Sequence, residues 1–155
     1  MHEDVKYIGT GEVAVSSTGI IKTSGIGSCI VVTLYDGEKK IGGMVHAMLP
    51  ARKENGTEYL LSPKYTDEAI EILIDEIEQQ GGSRERLKAK LIGGAKMFRL
   101  LSGDNFGIGF KNIESARENL GAIGILIESE DVGGTIGRSA ELNLENGLVL
   151  VSSMM

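Results

Sequence analysis

The fold is decided by CIVVTLYDGEKKIGGMVHAML, residues 29–49. Two apolar runs typical of strands flank the turn sequence DGEK, which predicts a β-hairpin. A two-residue turn at Gly37–Glu38 gives a register in which Cys29 and His46 lie directly opposite each other, and a longer turn is the open alternative. The Cβ atoms of such a pair are about 4.5–5.5 Å apart, whereas a slip of one residue puts the side chains on opposite faces. The hairpin therefore predicts that a thiol meets an imidazole.

The clearest helix follows this hairpin. Ser62 is a good N-cap residue, and Pro63 suits the first helical position. Apolar residues then recur at helical spacing from Ala69 to Ile77, and Gly81–Gly82 end the pattern. Acidic residues fill the other face, which we expect to be solvated.

A second helix is expected from near Asn112 to Leu120, with Gly121 as its stop. Short strand-like runs fill most of the remaining sequence, and the last two form a hairpin that turns at Asn146–Gly147. Because strands and helices do not alternate regularly, the pattern predicts an α+β fold and not a doubly wound sheet. We expect one domain over residues 1–155.

The composition excludes several classes of function. The 155 residues include 16 basic and 22 acidic side chains, a net charge of −6, which argues against nucleic acid or an anionic membrane as the main partner. The first ten residues, MHEDVKYIGT, contain no apolar stretch like that of a signal peptide, and no apolar run is long enough to span a membrane. A single cysteine forms no internal disulfide. These features predict a cytoplasmic protein.

The pair formed by Cys29 and His46 suits nucleophilic catalysis. A thiolate is the active nucleophile, and a neighbouring protonated histidine lowers the pKa of a thiol. The stretch GIGS before Cys29 predicts a tight turn that leaves the main-chain N–H of Cys29 free to hold an oxyanion. Thr23 could orient the imidazole, which is the task of the third member of a triad.

Other interpretations of these motifs remain open at this point. A lone cysteine beside an aliphatic run is most often part of a core. One cysteine and one usable histidine are too few ligands for a zinc site, and GIGSCI lacks the third glycine of a dinucleotide fingerprint. The glycine-rich segments 92–95 and 132–138 lack the Lys–Ser/Thr ending of a P-loop and are most simply tight turns. Both segments could instead border a cleft at Cys29.

Six motifs, in their order along the chain, resemble those of the chemoreceptor glutamine deamidase family, CheD. The resemblance extends from Gly9 to the final hairpin. The motifs are TSGIGSCIVVTLYD, GGMVHAMLP, KYTDEAI, IGGAKMF, IGFKN and EDVGGTIGR.

This resemblance implies a cysteine hydrolase whose Cys–His–Thr triad falls on Cys29, His46 and Thr23. Family members convert glutamine side chains of methyl-accepting chemoreceptors to glutamate and release ammonia, with no metal or organic cofactor. The chemotaxis phosphatase CheC is a common partner. The implied fold is a β-sandwich-like arrangement of mixed sheets with helices packed outside, similar to bacterial toxin deamidases.

The substrate glutamines lie on long receptor helices, so we expect a shallow groove. The small residues Gly27, Ser28, Gly42 and Gly43 would allow close approach there. The rival interpretation is a non-catalytic adaptor that binds CheC or a receptor. A thiol pKa below the usual value would favour the enzyme over the adaptor.

Overall fold

The computed structural model describes residues 4–53, 60–97 and 107–154. Two α-helices in these ranges are α1, Thr66–Gln79, and α2, Ile108–Ile123, and a short 3₁₀ helix covers Arg84–Arg86. Neither α-helix combines the length and the apolar character needed to span a membrane. The nine strands of the same ranges are β1 Val5–Tyr7, β2 Val13–Ser16, β3 Ile20–Ile26, β4 Ile30–Asp36, β5 Ile41–Ala47, β6 Leu87–Gly93, β7 Leu126–Val132, β8 Gly137–Asn143 and β9 Val149–Met154.

The strands form two mixed sheets. One has four strands in the order β1-β3-β8-β9, and the other has five in the order β2-β5-β4-β6-β7. Strand β1 pairs with β3, and β6 with β7, in parallel, and the other pairs are antiparallel. The predicted α+β class is therefore confirmed.

The two sheets stack face to face. Ile21 and Ile26 of the four-stranded sheet pack in one buried cluster with Val31, Met44 and Ile92 of the five-stranded sheet. Alternate residues of the five-stranded sheet point to its other face. That face packs against both helices in a second buried cluster. The structure confirms a β-sandwich with helices outside, and the likeness to toxin deamidases stays a prediction.

The register of the β4–β5 hairpin differs from the one predicted. Its turn has four residues, Gly37–Lys40, so Asp36 pairs with Ile41 and Val31 pairs with His46. The two-residue turn was wrong because the Asp36 side chain accepts hydrogen bonds from the main chain of the turn, at Glu38 and Lys39. Those bonds close a longer loop, as aspartate commonly does.

Helix α1 begins later than its sequence indicates. It starts at Thr66 after the N-cap Tyr65, whereas Ser62 Oγ accepts a hydrogen bond from the Lys64 main chain in the preceding turn. Serine offers its hydroxyl to a local turn as readily as to a helix end. The predicted apolar face is buried and confirmed.

One acidic residue of α1 departs from the expected solvated face. Glu68 is buried and forms an ion pair of 2.8 Å with Arg52. It also accepts a hydrogen bond from the main-chain N–H of Ser62, 2.9 Å away. These contacts hold the pKa of Glu68 below its usual value, despite burial. Glu68 therefore joins the start of α1 to the segments on either side of residues 54–59.

Helix α2 is longer than predicted at both ends. It runs from Ile108 to Ile123, and Gly121 lies inside it. The residue that ends it is Gly124, which has a left-handed conformation with φ of 90°. Glycine adopts this conformation without the steric cost of a Cβ atom, so it is the usual residue just after a helix.

Asp36 is fully buried at the end of β4. Burial alone would raise the pKa of its carboxyl group. Hydrogen bonds from Arg86 and from the main chain of Ser83, Lys39 and Glu38 outweigh burial and hold this pKa at about 2. The carboxylate therefore joins the β4–β5 turn to the connection between α1 and β6.

This buried carboxylate predicts an acid-dependent loss of stability. The folded pKa lies below the unfolded value of 3.8, so the stabilisation is complete above pH 3.8 and is lost as the pH falls to about 2. We expect Asp36→Asn to lower the free energy of unfolding at neutral pH by about 2 kcal/mol and to flatten this acid limb. Urea unfolding across the pH range measures both effects. The exposed pair of Arg84 and Glu78 supplies the control, since Glu78→Gln should change little.

Candidate active site

Cys29 lies where the chain crosses from one sheet to the other. The bend Gly27–Cys29 joins β3 of the four-stranded sheet to β4 of the five-stranded sheet, and Cys29 is half-buried. The carbonyl of Cys29 accepts a hydrogen bond of 2.7 Å from Gly94 N, and that of Gly27 accepts one of 2.9 Å from Ala95 N. These bonds hold the main chain of the bend against the end of β6.

His46 lies near the end of β5 and is fully buried. Its register partner on β4 is Val31, two residues after Cys29. Two residues is one full period of a strand, so the alternation of β4, continued to Cys29, gives the thiol the same face as the imidazole. Diagonal neighbours of this kind have Cα atoms about 7–8 Å apart and Cβ atoms somewhat closer. The direct pairing predicted from the sequence was wrong, because the ladder pairs His46 with Val31 and ends at Ile30, before Cys29.

Thr23 of β3 faces His46 across the space between the two sheets. Its Oγ1 lies 2.7 Å from His46 Nδ1 and donates a hydrogen bond of 2.9 Å to the carbonyl of Ile8. A hydroxyl has one hydrogen, and Ile8 takes it, so Thr23 accepts from His46 and Nδ1 carries the imidazole proton. This leaves His46 Nε2 as an acceptor, and it has no hydrogen-bond partner among the described residues.

Burial sets the protonation states of the two groups. It lowers the pKa of His46 to about 4 and raises the pKa of Cys29 above its usual value, although the main-chain N–H of Cys29 itself opposes the rise. Both groups are therefore uncharged at neutral pH. The pKa of the Cys29 thiol is therefore raised, whereas the enzyme interpretation predicted a lowered pKa. The reason is that a buried neutral imidazole supplies no positive charge to stabilise the thiolate.

The buried imidazole predicts a second pH effect on stability. Unfolded His46 takes up a proton below pH 6.5, whereas the folded residue stays neutral to about pH 4. The unfolded state therefore binds more protons in this window, and stability falls by up to about 3 kcal/mol as the pH drops from 6.5 to 4. We expect His46→Gln to remove most of this slope. Urea unfolding of both proteins at a series of pH values measures it, and parallel curves would contradict the assignment.

The four residues predicted to line a groove separate into two pairs. Gly27 and Ser28 precede Cys29 directly, and the Met97 side chain lies 3.1 Å from the position a Cβ atom would take on Gly27. Gly42 and Gly43 lie inside β5, about 10–13 Å along the strand from His46. The structure does not bring this second pair to Cys29.

The reason for Gly42 and Gly43 is close packing. A Cβ atom on Gly42 would lie 2.8 Å from the Tyr35 ring, and one on Gly43 would lie 2.7 Å from Leu73. Any side chain at these positions would therefore displace a neighbouring strand or helix α1. Their place in the fold explains them without a substrate.

The two other glycine-rich segments lie at the site. Segment 92–95 contacts the cysteine bend through Gly94 and Ala95. Segment 132–138 contacts the first in turn, since Gly133 N donates to Gly93 O at 2.8 Å and Lys96 N donates to Gly134 O at 2.8 Å. That these two segments border a cleft that admits a substrate stays a prediction. The described residues contain no group of three or more His, Cys, Asp or Glu side chains suited to a metal ion.

The sequence interpretation missed Asn112. This residue was expected at the start of α2, but it lies in the second turn and is fully buried. Its Nδ2 donates to the carbonyl of Ser28 at 2.9 Å and to that of Met48 at 3.0 Å. The available signal was an asparagine on the face of α2 that also carries Ala116, since a buried polar residue in a helix needs specific partners.

Comparison with known proteins identifies the family. A family model described as CheD chemotactic sensory transduction matches residues 48–153. A protein of Methanosarcina acetivorans named probable chemoreceptor glutamine deamidase CheD 1 is 42% identical over 97% of this chain and 93% of its own length. The chain belongs to the CheD family.

Other CheD relatives match over a similar extent. The chemoreceptor glutamine deamidase CheD of Thermotoga maritima is 41% identical over 94% of this chain and 90% of its own length. The corresponding protein of Pyrococcus abyssi, with the name qualified as probable, is 41% identical over 96% of this chain and 91% of its own length. The match to the CheD family model begins at residue 48 of this chain, so it does not include Thr23, Cys29 or His46. Their assignment therefore depends on the geometry of the site.

Proposed function

We propose that this chain is a protein-glutamine deamidase that converts glutamine side chains of chemoreceptors to glutamate and releases ammonia. The observation that carries the proposal is the imidazole of His46. Its Nδ1–H is committed to Thr23, and its Nε2 lone pair faces no other partner in the described residues. A base oriented in this way beside the only cysteine of the chain suits a thiol hydrolase. Membership of the CheD family supports glutamine as the target.

The proposed reaction begins with two uncharged groups. His46 Nε2 takes the proton of the Cys29 thiol while the sulfur attacks the carboxamide carbon of a glutamine side chain. The carbonyl oxygen becomes an oxyanion, for which the main-chain N–H of Cys29 is the available donor. Within the described residues this N–H donates to no other main-chain carbonyl.

The intermediate then collapses to a thioester. His46 gives its proton to the departing nitrogen, the carbon–nitrogen bond breaks, and ammonia leaves. Water attacks the thioester carbonyl while His46 takes a proton from it. The carbon–sulfur bond breaks, the sulfur recovers a proton from His46, and glutamate is released. The sequence of steps needs no cofactor.

The surroundings of Cys29 suit a protein substrate. Met97 lies against Gly27 and is 42% exposed. Met48, whose carbonyl shares the Asn112 amide with that of Ser28, is 36% exposed. Exposed apolar side chains beside the cysteine bend favour contact with another protein. We propose chemoreceptors as the substrates, CheC as a partner at this surface and the cytoplasm as the compartment.

A deamidation assay tests the proposed function. The chain is incubated with a chemoreceptor cytoplasmic fragment, and ammonia release is followed together with the mass change from amide to acid at each glutamine. We expect a defined set of glutamines to change. The adaptor interpretation predicts binding of the fragment with no change in mass above a control without the protein.

A further inference from the structure

Strands β4 and β5 part next to the site. Their ladder ends at the pair formed by Ile30 and Ala47. Beyond it, Met48 N and Leu49 N donate to the carbonyl of Lys64 at 2.8 and 3.1 Å. On the other strand, the cysteine bend bonds to the end of β6. The strand that carries His46 and the bend that carries Cys29 are therefore drawn in different directions.

Asn112 joins the two segments across this opening. One amide hydrogen goes to the carbonyl of Ser28, the residue before Cys29, and the other goes to that of Met48, two residues after His46. Both donors of the amide are thereby used, which also assigns its orientation. The bonds are 2.9 and 3.0 Å long. Asn112 itself is fully buried, whereas Ser28 is half-buried and Met48 is 36% exposed. Burial of the amide strengthens its hydrogen bonds relative to those made in water.

Helix α2 holds Asn112 firmly in this place. A Cβ atom on Gly109 would lie 2.5 Å from the carbonyl oxygen of Ala95, so the helix packs directly on the segment after β6. Ser115 Oγ donates to the carbonyl of Pro50 at 2.8 Å on the other side. The helix therefore contacts the segment that follows Met48 and the segment after β6, to which the cysteine bend is hydrogen-bonded.

We infer that Asn112 is a positioning residue that sets the distance between the Cys29 thiol and the His46 imidazole. The inference rests on the proposed function for its effect on turnover, but not for its effect on the thiol. A displacement of about 1 Å between reacting groups costs on the order of a hundredfold in rate. The two hydrogen bonds of Asn112 are the direct link between the two segments at this point.

The decisive variant is Asn112→Asp. It keeps the size of the side chain but replaces the double donor with an oxygen that faces two carbonyls. We expect kcat to fall by about a hundredfold while KM changes little, because the displaced groups act in the transition state and not in binding. The control is Asn119→Asp on the same helix. The Asn119 amide donates a hydrogen bond of 2.8 Å to the carbonyl of Ser115 and has no bond to the cysteine bend.

Alkylation of Cys29 by iodoacetamide tests the positioning itself. Because Cys29 is the only cysteine, the rate of alkylation of the whole chain is the rate at this thiol, and no substrate is needed to measure it. We expect His46→Ala to slow alkylation by about tenfold in the otherwise unchanged chain. In the Asn112→Asp background, His46→Ala should have no further effect, because the His46 imidazole is then already displaced from the thiol. Equal effects of His46→Ala in both backgrounds would overturn the inference, as would no effect in either.

The two assays separate this inference from the proposed function. A chain that deamidates no receptor but shows the expected alkylation pattern refutes the function and leaves the positioning intact. Thermal melts verify the fold of each variant, and Asn112→Ala replaces Asn112→Asp if the latter does not fold. If neither variant folds at the assay temperature, Asn112 serves the fold and the inference is wrong.

Discussion

Cys29→Ala is expected to abolish deamidation of a chemoreceptor fragment. Loss of the nucleophile of a triad lowers kcat by on the order of 10⁶-fold, because the remaining groups have no covalent intermediate to stabilise. Cys29→Ser should be nearly as inactive, since a neutral imidazole of low basicity activates a hydroxyl poorly. Ammonia release and the mass of each target glutamine measure the loss.

The chain supplies its own control for this result. Iodoacetamide modifies the single cysteine, so the alkylated wild-type protein should be as inactive as Cys29→Ala. Receptor fragment in excess should slow the modification if the glutamine occupies the cleft. Full activity of a folded Cys29→Ala protein would refute the mechanism, and retained binding of the fragment by that protein would show that only chemistry was removed.

His46→Ala is expected to lower kcat by about 10²–10⁴-fold, the usual contribution of a general base. The chain has one other histidine, so His2→Ala is the matched control and should have wild-type activity. If the proposed mechanism holds, the wild-type chain should keep its kcat/KM down to about pH 4, because burial lowers the pKa of His46 to that value. An acid limb near pH 6.5 would mean that the base is not this buried imidazole.

Thr23→Val is expected to cost less, about tenfold in kcat, which corresponds to the net free energy of one hydrogen bond. Without the Thr23 acceptor, His46 can carry its proton on Nε2, and that tautomer cannot accept the proton of the thiol. Thr23→Ser keeps the hydroxyl and should recover most of the activity. The neighbouring Ser24 is exposed, so Ser24→Ala is the control.

The hairpin shows how far local sequence goes. The two strands and their connection followed from the apolar runs on either side of DGEK. The turn length did not. Asp36 accepts hydrogen bonds from Glu38 and Lys39 within the turn, and its position is also held by Arg86 and Ser83, which are far away in sequence. An error of two residues preserved the face on which Cys29 and His46 lie, whereas an error of one would have reversed it.

The sequence by itself determined the elements and the candidate residues. Periodicity located the apolar face of α1, and the absence of another cysteine or usable histidine left Cys29 and His46 as the pair to consider. These properties are local or compositional, so they need no knowledge of which segments meet in space.

Only the tertiary structure decided the state of the site. The tautomer of His46 depends on Ile8 taking the hydrogen of Thr23, and its low pKa depends on burial between two sheets. The contacts of Asn112 with Ser28 and Met48 join residues 84 and 64 positions apart. Contacts of this kind arise when distant segments pack together, and a single sequence contains no periodicity that records them.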